Sequence, residues 1–139
     1  MLEVAETRDI GLCQGLRRVV FIEEQGVSVA DEVDGRDDEA RHLLAVLDGR
    51  AVGTARLLTK GSMGKVGRVC VLREARGKGA GVALIRAAVA VFRGVPGVGR
   101  VTLGAQVQAL GFYEALGFQA VGEDYLDAGI VHRDMILIL

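Results

Sequence analysis

The chain has a single proline, Pro96, and only two cysteines, Cys13 and Cys70, in 139 residues. Two thiols are too few for a disulfide framework. With His42 and His132 as the only histidines, they form no zinc-type spacing, so no metal site is expected. Both read as reduced core thiols. Net charge is −1 and the pI is near 6.1, which argues against nucleic acid or an anionic membrane surface as a general partner. No apolar run reaches the length of a bilayer span. MLEVAETRD lacks the cationic start and apolar block of a secretory signal, so a cytoplasmic location is expected. There is no internal repeat, low-complexity stretch or domain boundary. One domain over residues 1–139 is the expectation.

What is abundant is glycine, 20 residues dispersed along the chain rather than gathered in a linker. Dispersed glycines imply tight turns or close backbone approaches. Half the residues are apolar and a quarter charged, a globular profile. LEVAE (2–6) alternates as a first strand. Thr7 or Asp9 caps a helix to about Glu24 that buries Ile10, Cys13, Leu16, Val20 and Phe21. Residues 25–40 read as a polar loop. RHLLAVL, Asp48-Gly49 and AVGTARLL form a hairpin signal, and KVGRVCV (65–71) is the next strand. Gly79 to about Arg93 repeats Val82, Ile85, Val89 and Phe92 at helical spacing, with Gly94 as a stop. RVTLGA, FQAVGE and GIVHRDMILIL are strands, with a short helix in VQALGFYEAL. The order β-α-β-β-β-α-β-α-β-β predicts an α/β fold with a mixed sheet flanked by helices. The apolar ending MILIL suits a homodimer face as well as a core.

REARGKGAG (73–81) stands between a strand and a helix. Glycines there free the amides at the positive helix end, an arrangement that receives phosphate, and Arg76 and Lys78 add charge. The loop is not a Walker loop, because Gly79 follows Gly77-Lys78 where Ser or Thr is required. It is not a dinucleotide fingerprint either, because Val82 stands at the third glycine position. A plain tight turn would account for the glycines equally well.

A second string changes the balance. V-x-R-E-A-R-G-K-G-A-G resembles the R/Q-x-x-G-x-G/A signature of the GNAT superfamily of acyl-CoA-dependent N-acetyltransferases, and QVQALGFYEALGF (106–118) resembles its N-x-x-A-x-x-x-Y-x-x-x-G-F signature. VFIEEQGVSVADEVDGRDDEARHLLA and VGTARLL extend the likeness to the ElaA-like branch, over nearly the whole chain. The resemblance implies a GNAT fold and acetyl-CoA as cosubstrate. The backbone of Arg76, Gly77, Lys78, Gly79, Ala80, Gly81 and Val82 would cradle its pyrophosphate. Main-chain groups of Val69, Cys70 and Val71 would pair with the pantetheine arm, the Val71 N–H polarising the thioester carbonyl. Tyr113 would protonate the departing thiolate. Gln106 stands where the superfamily commonly has Asn, and its amide retains the capacity to donate and accept toward the cosubstrate.

An alkylammonium of pKa ~10.4 is neutral in only about one molecule per thousand at pH 7, so the acceptor amine needs a base. The resemblance offers Glu24 and His42, each also readable as structural: a solvated helix-end carboxylate and a packed imidazole. Arg56, polar on an apolar strand, suits buried ion pairing or ligand contact equally. A nucleophilic Cys70 would imply an acyl-enzyme, but it has no activating neighbour in sequence and lies inside a strand, so a packed thiol is expected. DEVDGRDDE (31–39) sets six carboxylates against Arg36. With Gly35 as turn glycine, an EF-hand would need ligands at Ala30 and Arg41, which excludes that loop. The run reads as a solvated loop, or as a funnel for a cationic amine. The implied activity is direct transfer of acetyl from acetyl-CoA to a primary amine, on a small molecule or peptide, in a ternary complex. The alternative is a non-catalytic acyl-CoA-binding module of the same fold.

Overall fold

The computed structural model describes residues 1–139. The strands are β1 (Leu2–Thr7), β2 (Arg41–Leu47), β3 (Arg50–Lys60), β4 (Met63–Val71), β5 (Arg100–Gln106), β6 (Gln119–Asp127) and β7 (Ile130–Ile138). They form one seven-stranded sheet in the order β1-β2-β3-β4-β5-β7-β6. All neighbours are antiparallel except β4 and β5. The helices are α1 (Ile10–Arg17), α2 (Val29–Glu32), α3 (Ala80–Arg93) and α4 (Leu110–Glu114). The expected order holds for all seven strands and for α1, α3 and α4, with α2 added between α1 and β2, and no helix is long and apolar enough to cross a membrane.

Local chemistry explains several boundaries. Asp9 caps α1 by accepting from the Leu12 amide at 3.1 Å. The helix then runs on to Glu24 with π-helical pitch over Arg18–Glu24, so the predicted end is right and the winding is wider. Asp48 and Gly49 both have positive φ, 51° and 82°, the pair of values a two-residue hairpin between β2 and β3 requires.

The central strand β3 is buried from Val52 to Leu58, because it is covered on both faces. On one side α3 lays Leu84, Ile85, Ala88 and Phe92 against Leu43, Leu57, Val66 and Val101. Val82 and Val89, expected at the centre of that stripe, lie at its half-buried margin. Phe92 sits flat on β4, where a Cβ on Gly64 would come within 2.5–2.7 Å of its ring. On the other side α1 and its π-helical continuation pack Leu16 and Val20 against Cys70 and Leu72. Met135 of the MILIL ending is fully buried, while Ile138 is 69% exposed.

Residues 25–40 are not the open polar loop expected from composition. They contain α2 and a 3₁₀ turn, and three arginines pull their carboxylates inward. Arg17, 1% exposed, donates Nε to Glu32 at 2.7 Å and both terminal nitrogens to Asp37. Arg56 forks onto Asp34 at 2.8 and 2.8 Å and reaches Asp37 at 3.2 Å. Arg68 caps the Asp31 and Glu32 carbonyls. Buried guanidinium groups need such partners, and that need folds the segment onto the sheet.

Candidate functional site

The parallel pair β4–β5 is joined only at Met63↔Arg100, Gly64↔Val101 and Lys65↔Thr102. Beyond Lys65 and Thr102 the two strands diverge and no ladder links them. The bend lies in β4, where Arg68 and Val69 together face the single residue Ala55 of β3, and Arg68 takes a positive φ of 50°. This bulge turns the strand away from β5.

The free backbone of β4 faces the gap. Leu72 donates its amide to the Val52 carbonyl at 2.8 Å, so Val71, its neighbour, is turned the opposite way. The Val71 carbonyl accepts from Arg76 Nε at 3.0 Å on that far side. The Val71 N–H therefore points into the splay, opposite Gly53 in the register.

β4 runs on through a 3₁₀ turn (Arg73–Ala75) into the glycine loop. Gly77 and Gly79 have φ of 79° and 88°, and Gly79 ends the loop as the N-cap of α3 without a side-chain hydrogen bond. The Arg76 amide is spent on the Arg73 carbonyl at 3.3 Å. From Gly77 through Val82 no backbone amide donates within the chain, and the first helical bond at this end is Ala83 to the Gly79 carbonyl at 3.0 Å. Several free amides at a positive helix end suit a diphosphate, and at Gly77 and Gly79 a Cβ would meet nothing within 4 Å, so the backbone there is open to approach. The Arg76 guanidinium is held away from them. It grips Glu24 through two bonds of 2.7 and 2.8 Å, which keeps the Glu24 carboxyl below its ordinary pKa.

A cavity of about 990 Å³ opens through the splay. Val69, Gln106 and Tyr113 line it, as does Arg56, so three expected site residues are brought together. Burial alone holds the Tyr113 phenol protonated above its ordinary pKa. Gln106 donates to Gln25 at 3.1 Å and accepts from Gln108 at 2.6 Å, which bridges β5 to the end of the first helix.

Other expected residues lie elsewhere. Glu24 stands at the glycine loop, committed to Arg76. His42 is 3% exposed behind the 3₁₀ turn, its Nε2 donating to the Asp37 carbonyl at 2.9 Å. Neither lines the cavity. Cys70 is buried on the α1 side, and burial pushes its thiol up to about 12. Arg56 resolves as an ion-pair residue that also borders the cavity.

Sequence reasoning missed the far wall, made by Tyr125, His132 and Asp134. Alternation in GIVHRDMILIL puts His132 and Asp134 on one face, a signal that was there to read. Their meeting with Tyr125 depends on a register shift in β6 between Val121 and Tyr125.

The sequence profile of the Acetyltransferase (GNAT) domain matches residues 20–139. YjcF of Bacillus subtilis (strain 168), described as an uncharacterized N-acetyltransferase, is 34% identical over 122 residues, covering 87% of this chain and 86% of its own. The crystal structure of Escherichia coli ElaA superposes with a TM-score of 0.85 at 28% identity, over 99% of each chain. That of an acyl-CoA N-acyltransferase from Pseudomonas aeruginosa gives 0.87 at 30% identity, again over 99% of each. With the splayed strands, the open amide loop and these likenesses, the chain belongs to the GNAT family of acyl-CoA-dependent acetyltransferases.

Proposed function

We propose that this enzyme transfers an acetyl group from acetyl-CoA directly to a primary amine while both are bound. The observation that carries the reading is the splay. Tyr113 lines the cavity that opens between β4 and β5, the Val71 N–H is turned to that side of β4, and the unbonded amides from Gly77 to Val82 follow where the strand ends. Two unpaired cysteines in the core suit a cytoplasmic setting.

Each group has a role in this reading. The loop amides bind the diphosphate, with Lys78 adding charge at its rim. Main-chain groups of Val69 and Val71 align the pantetheine arm, Cys70 contributing only backbone to the strand. The Val71 N–H stabilises negative charge that builds on the thioester oxygen. Tyr113 supplies the proton to the leaving sulfur, and Gln106 contacts the arm from β5. Glu24 acts through Arg76, which it holds against the Val71 carbonyl. Holding both reactants together makes attack effectively intramolecular.

The buried Cys70 thiol, held protonated far above neutrality, favours direct transfer over an acyl-enzyme. Initial rates with acetyl-CoA and a panel of amines, read by free-thiol release, are the test. Intersecting double-reciprocal lines and full activity in Cys70→Ala are expected. Parallel lines with an inactive Cys70→Ala would refute direct transfer.

A further inference from the structure

The two histidines are wired oppositely. Each ring contacts a backbone carbonyl, and a carbonyl oxygen only accepts, so the contacting nitrogen carries the proton. In His42 that nitrogen is Nε2, and the basic Nδ1 is sealed inside the protein without a partner. In His132 it is Nδ1, 2.7 Å from the Ile130 carbonyl, and the ring borders the cavity. The neutral His132 ring therefore keeps its lone pair on Nε2. That atom has no partner in the chain and, unlike His42 Nδ1, is not sealed off.

The register sets where this lone pair lies. His132 pairs with Gln106 of β5 and with Tyr125 of β6. Directly opposed residues share a face of the sheet, so the three form a row, each ~4.8 Å from the next strand. The row starts at the end of β5, beside the splay, and Tyr113 borders the same cavity. The ring is also fixed in orientation. Tyr125 stacks on it with centroids 6.0 Å apart and an interplanar angle of 24°. Tyr125 in turn donates its hydroxyl to Asp134 at 2.6 Å. Gly104 leaves room for that hydroxyl, since a Cβ there would overlap it.

We infer that His132 is the general base for the acceptor amine, a role that rests on the transfer reading above. His132 Nε2 takes one proton from the ammonium, directly or through one water, and becomes imidazolium. The freed nitrogen lone pair forms the bond to the thioester carbon and the carbon–sulfur bond breaks. Sulfur takes the phenol proton of Tyr113, and the nitrogen's second proton returns to the phenolate. His132 then releases its proton to solvent, so one proton leaves per amide formed.

His132→Asn tests this, because Asn keeps an N–H for the Ile130 carbonyl and removes the base. With an alkylamine, kcat should fall by ~10²-fold or more, at unchanged KM for acetyl-CoA and unchanged melting temperature. The deficit should shrink with an aryl amine or hydrazine, which is already neutral at pH 7. Added imidazole should restore part of the rate in His132→Ala. Equal loss with both acceptor classes, or none, overturns the role. Wild-type enzyme that binds acetyl-CoA but acetylates no amine refutes the transfer reading itself. Imidazole ¹⁵N spectra of the unmodified protein give a check free of folding effects. A neutral Nδ1–H ring whose Nε2 signal moves when amine joins the CoA complex is expected, and an Nε2–H ring contradicts the assignment.

Discussion

Glu24 and Arg76, 52 residues apart in sequence, meet in a two-pronged ion pair of 2.7 and 2.8 Å. The same guanidinium donates Nε to the Val71 carbonyl, so one side chain ties the end of the first helix, the last residue of β4 and the glycine loop together. Glu24→Gln should therefore weaken acetyl-CoA binding several-fold by calorimetry. The melting temperature should barely change, because exposed pairs contribute little to global stability. Since Arg76 holds the carboxyl below its ordinary value, the tie is intact above a pH of ~4.3 and is lost on acidification below it.

Tyr113→Phe removes the proposed acid while keeping the ring that packs edge-on against Phe112 and Phe118, at centroid distances of 5.0 and 6.1 Å. A loss of ~10²-fold or more in kcat is expected, with acetyl-CoA affinity retained. Burial raises the phenol's pKa, so the native enzyme should hold its acid beyond pH ~10, and an alkaline fall well below that would contradict the role.

Arg17 and Arg36 both pair with carboxylates, yet their surroundings differ. Arg17 is buried with Glu32 and Asp37, whereas Arg36 and Glu39 are both about half exposed. Arg17→Ala should cost ~3–5 kcal/mol by taking from the buried Glu32 its hydrogen-bonded counterion and from Asp37 one of its two arginines. Arg36→Ala should stay within ~0.5 kcal/mol. Urea denaturation of the two variants decides it.

Arg56 holds the Asp34 carboxyl down at about 2. A depressed carboxylate stabilises the fold fully above its unfolded pKa of ~3.9. That contribution, on the order of 1 kcal/mol once solvent screening of this exposed residue is allowed for, should disappear as pH falls from ~4 toward ~2. Asp34→Asn should flatten this part of the stability profile, measured by urea midpoints across that range.

Gly64→Ala would place a methyl against the Phe92 ring, which is itself fully buried. Overpacking of this kind costs ~1–3 kcal/mol, readable as a lowered melting temperature with the cavity residues untouched.

Elements were legible in the sequence where their causes are local. Asp48-Gly49 encodes a turn by backbone sterics, Gly79 and Gly94 bracket α3, and alternation marks β2 and β7. The acidic run was legible only as charge, because its partners Arg17, Arg56 and Arg68 come from three other elements. Within LRRVV, Arg17 gives no sign that it points inward while Arg18 points out. For Glu24 and His42, chemistry was readable but direction was not, and direction decides what a carboxylate or an imidazole can reach.

The sequence by itself determined the order of the strands and of α1, α3 and α4, the amide loop and the family, because these rest on short-range periodicity and on residue types at fixed spacing. Tertiary structure alone decided the splay, which exists because the β4–β5 ladder stops after Lys65↔Thr102 while a bulge at Arg68 bends one strand away. It also decided which histidine borders the cavity with an unpartnered lone pair, since a ring's tautomer follows from the carbonyl it meets, and that carbonyl's position is a property of the folded chain.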